Sequence, residues 1–275
     1  MKNLKLTLAF CCATFIFASC STLKKMPSSA EMQAINDSIV AEGFQLYYSE
    51  RANWIATDLM FEKCDMANLG GNVTYQPDAN TWAVVFFDRN NENCVLEYQA
   101  STLSDEAYVS DSIRPISKEE RTLRYRKTIL IEKAISKYGD KMLFASDSFG
   151  SPNIDIIEIN DHLIRMYILQ GTVKPDLIPF GNDYSIDFDE NLEPIAFRKY
   201  HNSLIAIPTK DNGKEVRMTV HSHLPDNPFI TPTDICNFLL YRPADMNSFS
   251  VLSTAYGCMF TFSLDQQKIF VEKQK

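Results

Sequence analysis

Apolar and polar positions divide the chain into segments of contrasting period. Met32, Ile35, Ile39 and Val40 recur at helical spacing, which predicts a short helix over 30–41 ending near Gly43. The aromatic-rich stretch 44–64 fits strand or helix equally well. Residues 82–87 and 94–100 read as strands joined by the polar turn Asp88 to Asn93. The Ser- and Asp-rich segment 101–116 reads as a linker. Ser117 and Glu120 then form a capping box, opening a helix that runs to about Tyr138 and stops at Gly139. Strand patterns dominate from Ile154 to Val220, a helix follows Thr231, and a strand pair closes the chain between Ser248 and Val271. The expected fold class is α+β, with a mixed sheet and flanking helices in residues 117–275 and a smaller α+β region over 30–100.

The last strand before the 231 helix leaves a predicted hairpin at Asp211-Asn212-Gly213-Lys214. It alternates Val216, Met218 and Val220 on one side with Arg217, Thr219, His221 and His223 on the other. Residues i and i+2 of a strand share a face, so the two imidazoles can converge on one ion. Asp234 follows His223 by eleven residues, and two histidines with a carboxylate suit a divalent metal such as zinc. Thr231-Pro232-Thr233-Asp234 is also a helix start, with Thr at the cap, Pro at the first position and an acid at the third. The two readings are compatible, because the capped helix brings Asp234 back toward the histidine strand.

The spacing His221-x-His223, seven residues, Thr231, two residues, Asp234 resembles the metal signature of JAMM/MPN-type (JAB-domain) metallopeptidases. The resemblance covers fourteen residues strictly. It implies zinc held by His221, His223 and Asp234, a hydroxyl at Thr231 that stabilises the tetrahedral oxyanion, and a glutamate general base from an earlier strand. Glu158, 63 residues before His221 and after the long helix, fits that base best, with Glu190 and Glu193 as alternatives. The function so implied is a zinc-dependent peptidase or isopeptidase acting on a peptide or protein. The alternative is a non-catalytic binding or structural protein on a degenerate JAMM-like fold. Of the other histidines, His162 reads as a turn residue. His201 reads as a hydrogen-bonded strand or turn histidine, with a contact behind a metal ligand or to substrate as its alternative.

The N-terminus sets the expected location. Lys2 and Lys5 precede an apolar run from Leu6 to Phe17, followed by Ala18-Ser19-Cys20. This is a signal-peptide pattern, and the run is short for a membrane span. Its end resembles the lipobox of bacterial lipoproteins, which implies removal of residues 1–19, lipidation of Cys20 and a tether over 20–29. The protein is then expected in the bacterial cell envelope, lipid-anchored, at the outer membrane facing the periplasm or the cell surface.

Composition adds two limits. Loss of the two lysines in residues 1–19 leaves 25 basic against 35 acidic side chains, a formal −10, which argues against nucleic acid as a partner. Four cysteines then remain besides Cys20. In an oxidising compartment the sequence-near pairs Cys64–Cys94 and Cys236–Cys258 are the expected disulfides, with buried free thiols as the alternative.

Overall fold

A computed structural model describes residues 23–142, 149–211 and 214–273. The expected signal peptide and Cys20 lie outside the described residues. Helix α1 (Ser29–Lys63) is capped by Ser28, whose hydroxyl and the Glu31 carboxylate close a reciprocal box. An antiparallel sheet follows, with strands β1 (Leu69–Asp78), β2 (Thr81–Asp88), β3 (Asn93–Ser101) and β4 (Ala107–Ser110) in spatial order, and β5 (Arg114–Pro115) also on β3. Trp82, Val84, Phe86, Leu96 and Tyr98 of this sheet bury Ala52, Ala56 and Met60 of α1. The segment 101–116, expected as a linker, thus contributes two strands. Arg114 anchors it, bridging Glu97 at 2.7 Å and Glu120 at 2.6 Å.

Helix α2 (Lys118–Tyr138) begins at the Ser117–Glu120 box, as the sequence pattern predicts. It lays Leu130, Ala134 and Tyr138 on Met166, Ile168, Tyr184, Ile186 and Phe188. These belong to a second antiparallel sheet built from β6 (Pro152–Asn160), β7 (Leu163–Gln170), β9 (Tyr184–Phe188) and β10 (Pro194–Lys199), in the order β10-β9-β7-β6. Between them β8 (Leu177–Phe180) pairs with β11 (Ile205–Pro208), and β12 (Lys210–Asp211) pairs with β13 (Lys214–Glu215) across the predicted turn. The third sheet is β14 (Thr219–His223), β15 (Ser248–Ser253), β16 (Cys258–Ser263) and β17 (Lys268–Lys273), in that order. Three strands stand where the pattern predicts a final pair. Strands β14 and β15 are parallel, and α3 (Pro232–Tyr241) makes the crossover between them.

Helix α1 does not stop near Gly43 but runs for 35 residues. Gly43 is there for packing rather than termination. A Cβ at that position would lie 2.8 Å from the Ile235 Cβ, so the missing side chain lets α1 cross α3 closely. No helix among the described residues is long and apolar enough to cross a membrane.

The cysteine pairs expected from the sequence do not form: Cys64, Cys94, Cys236 and Cys258 are all free thiols. They sit in different apolar clusters. Cys64 packs against the α1–first-sheet core and Cys94 on the other face of that sheet. Cys236 faces Leu46 and Tyr167, while Cys258 lies in the core of the third sheet. Nearness in sequence put no pair on a shared face.

Candidate metal centre

Strand β14 reverses the usual rule for burial. Thr219, His221 and His223 point inward, while Val220 and Met218 are 55% and 62% exposed. Burying imidazole in place of valine is unfavourable unless the ring nitrogens find partners. Those of His223 do, whereas His221 Nδ1 is buried with no hydrogen-bond partner. The three residues that precede and open α3 fold back under the strand, and the end of the β9–β10 hairpin meets them from the other side.

The cap of α3 fixes Asp234. Its Oδ2 accepts the Thr231 backbone N–H and the Thr231 hydroxyl, both at 2.8 Å. Its Oδ1 is buried and has no hydrogen-bond partner. This oxygen faces His201 Nε2 at 3.2 Å and His221 Nε2 at 3.3 Å. His223 Nε2 lies 2.8 Å from His201 Nε2 and 3.1 Å from His221 Nε2. Four donor groups, from His201, His221, His223 and Asp234, therefore converge within 4.8 Å of one another, every one of them buried. This set could hold a metal ion. Bonds of about 2.0–2.1 Å in a tetrahedron place neighbouring donors about 3.3 Å apart, close to the observed spacing.

Outer contacts decide which nitrogens point inward. His201 Nδ1 lies 2.8 and 3.0 Å from the two oxygens of buried Asp183, which also accepts the Thr233 hydroxyl. His223 Nδ1 lies 2.5 Å from the Phe229 carbonyl oxygen. Both partners only accept, so both rings carry hydrogen on Nδ1 and, when neutral, aim lone pairs at each other across 2.8 Å. Two facing lone pairs repel unless a cation lies between them. Either a proton or a metal ion meets that need.

Charge separates the two cases. Burial tends to lower the His201 pKa, but Asp183 and then Asp234 outweigh it and hold the value well above the ordinary one. Burial, which the attraction of Asp234 does not offset, pushes His223 down to about 4. Asp234 is raised by burial but carried well below the usual range by His201, His223 and His221. A single proton on His201 thus leaves two carboxylates facing one imidazolium in a dry site. A divalent ion with three neutral imidazoles balances Asp183 and Asp234 fully. The residues present fit a divalent metal, and the orphaned Oδ1 is where it would bind.

The structure brings together three residues expected from the sequence: His221, His223 and Asp234. Thr231 lies beside them with its hydroxyl engaged by Asp234 and 2.9 Å from the Thr233 hydroxyl. Glu158 is elsewhere. It sits on edge strand β6, 60% exposed, in an ion pair with Arg126. Its register partner Ile164 pairs with Phe188, five residues from Asp183 along β9. At about 3.4 Å per residue and about 4.8 Å per strand, that places it roughly 20 Å from Asp183. Glu190 and Glu193 are likewise exposed, held by His162 and Lys133.

Two members of the site escaped the sequence reading, His201 as a direct member of the cluster and Asp183 behind it. Their signal is the β9–β10 hairpin. Tyr184 pairs with Lys199 there, and the Tyr200 N–H bonds the Asp183 carbonyl at 3.1 Å, so Asp183 and His201 flank one end of the ladder. Comparison with known protein families, with curated proteins and with solved structures found no match.

Proposed function

We propose that this chain is a zinc-stabilised binding protein of the bacterial cell envelope, anchored through lipid on Cys20, in which the metal is structural. One observation carries the reading: His201 Nε2 joins His221, His223 and Asp234 as a fourth donor, where a catalytic zinc would keep a position for water. Closed four-ligand sites are structural, whereas catalytic sites keep a position free. The side chains of His201, His221, His223 and Asp234 are 0–3% exposed, so solvent and a peptide bond have no approach. The roughly 20 Å between Glu158 and Asp183 supports the same reading, because it keeps the glutamate expected as general base away from the ion.

The spacing His221-x-His223-x7-Thr231-x2-Asp234 supports descent from a JAMM-like arrangement in which a protein ligand has taken the water position. When bound, zinc would tie β14, α3 and the β9–β10 hairpin into one unit. Thr231 acts on Asp234, as the cap that leaves Oδ1 free, and Asp183 orients His201.

Metal analysis of the full chain tests the proposal. About one zinc per chain is expected, with a lower melting temperature after chelation and no cleavage of fluorogenic peptides. Absence of metal after zinc is supplied at neutral pH would overturn the metal site. Peptide cleavage that disappears in Asp234→Ala would overturn the structural role and restore the peptidase.

A further inference from the structure

A second site lies beside the middle of α1 and does not rest on the metal reading. Phe44, Tyr47, Tyr48 and Arg51 recur at i, i+3, i+4 and i+7, so they share one face of the helix. That face lines a groove of about 380 Å³, bounded elsewhere by Leu239 and Arg242 of α3 and its cap, the loop 101–105 and the turn at Leu264 and Gln267. Arg51, Asp105 and Gln267 are exposed, so the groove is open to solvent. Helices α1 and α3 meet at Gly43 and Ile235, and they are still in contact where the Trp54 and Tyr241 rings stand 5.5 Å apart. Arg51 lies one turn before Trp54 and Arg242 follows Tyr241, which puts both arginines at the same end of the groove.

Neither arginine has a carboxylate partner among the described residues. Arg51 makes no hydrogen bond or ion pair with any of them. Arg242 is held only by uncharged acceptors. Its Nη1 donates to the carbonyl oxygens of Ala244 at 2.8 Å, Met246 at 3.0 Å and Pro243 at 3.1 Å, which pin the guanidinium and leave its Nε–Nη2 edge unspent. Burial raises the Tyr47 hydroxyl above its ordinary pKa, and Arg51 and Arg242 both oppose that rise, so both charges act on one phenol. The acid on the groove wall is Asp105, which pairs with neither arginine. Two guanidiniums against one carboxylate leave a positive charge unbalanced, in a chain whose formal charge is −8.

We propose that this groove binds an oxyanion carried on an apolar body, with Arg242 and Arg51 holding the anionic group and the body lying on Phe44, Tyr48, Leu239 and Leu264. The unspent edge of Arg242 is a planar two-donor fork, the geometry that pairs side by side with two oxygens of one anion. Because the guanidinium is already pinned, little side-chain freedom is lost when the anion arrives. Phe44, Leu239 and Leu264 pack on the core beneath and are half-buried, so each keeps apolar surface for the groove. The volume suits a single ring or a short chain. Two sources share the chemistry: a carboxylic acid or a phosphate monoester.

Calorimetric titration of the full chain tests it, using benzoate, phenyl phosphate, inorganic phosphate and benzamide. Saturable binding of benzoate or phenyl phosphate is expected, weaker by at least about tenfold in Arg242→Gln. Benzamide has the ring without the charge and should not bind. Inorganic phosphate has the charge without the ring and should bind more weakly than the aromatic anions. Tighter binding of benzoate supports a carboxylic acid as the source, and tighter binding of phenyl phosphate supports a phosphate monoester. No binding by either aromatic anion, equal binding by benzamide or by inorganic phosphate, or undiminished binding in Arg242→Gln overturns the proposal. Should Arg242→Gln fail to fold, Arg51→Gln decides, because that side chain has no partner to lose among the described residues and unchanged affinity there overturns the paired-arginine site. Zinc content is expected to stay unchanged in both variants, so a failure here is distinguishable from a failure of the metal centre.

Discussion

Asp183 touches no metal in the proposed site, yet its charge should govern affinity. Its carboxylate lies 2.8 Å beyond one ring nitrogen of His201, and an ion would sit about 2 Å beyond the other, giving a separation of about 7 Å. At an effective dielectric near 20, a divalent ion and a carboxylate at about 7 Å attract by about 5 kcal/mol. That figure is a ceiling, because the pair is desolvated to form. Loss of a histidine's outer carboxylate typically lowers metal affinity about 10–100-fold, or about 1.4–2.7 kcal/mol. Asp183→Asn is the selective perturbation. Its carbonyl oxygen still accepts the His201 Nδ1–H, and its amide can donate to the Thr233 hydroxyl, so shape is retained and one charge is removed. Competition for zinc against a chromophoric chelator measures the effect, with the melting temperature of the chelated protein as control for folding. A zinc affinity within twofold of wild type would refute the electrostatic role of Asp183 and the charge balance on which the metal assignment depends.

Two further outcomes follow from the same structure. His201 has a folded value above its ordinary pKa, so in metal-free protein its contribution to stability is complete below about pH 6.5 and is lost as pH rises through the folded value. Zinc replaces that proton: calorimetry in two buffers of different ionisation heat should show about one proton released per zinc at neutral pH, and no release would contradict the picture. Gly43→Ala should destabilise the protein by about 1–3 kcal/mol in a denaturant titration, because its Cβ would meet the Ile235 Cβ at 2.8 Å, an atom fixed to the α3 backbone. An unchanged midpoint would show that α1 and α3 can separate at little cost.

Local signals were legible because they act over short spans. The Ser117–Glu120 and Thr231–Asp234 boxes each lie within one helical turn, and each starts a helix where the sequence predicts it. Readings that needed knowledge of a distant neighbour did not survive. Gly43 looks like a terminator until Ile235 is known to press on it. The Ser- and Asp-rich stretch 101–116 looks like a linker until Arg114 is seen between Glu97 and Glu120. Proximity in sequence suggested cysteine pairs, and the packing of four separate apolar clusters kept them apart.

The metal centre divides along the same line, and the division bears on function. His221, His223 and Asp234 are joined by strand alternation and one helix cap, so fourteen residues of sequence already point them at one place. His201 arrives through the register of β9 against β10, which no local spacing encodes. The unseen ligand is the one that matters most. Three ligands describe a site with room for water, while the fourth fills it, so the local motif alone suggests an enzyme and the tertiary contact argues for a structural ion. Asp183 reinforces this, because a histidine locked by a buried carboxylate at 2.8 and 3.0 Å is poorly placed to swing away and admit substrate. Turning the site to catalysis would require breaking that contact, and Glu158, the glutamate expected as general base, lies roughly 20 Å from Asp183.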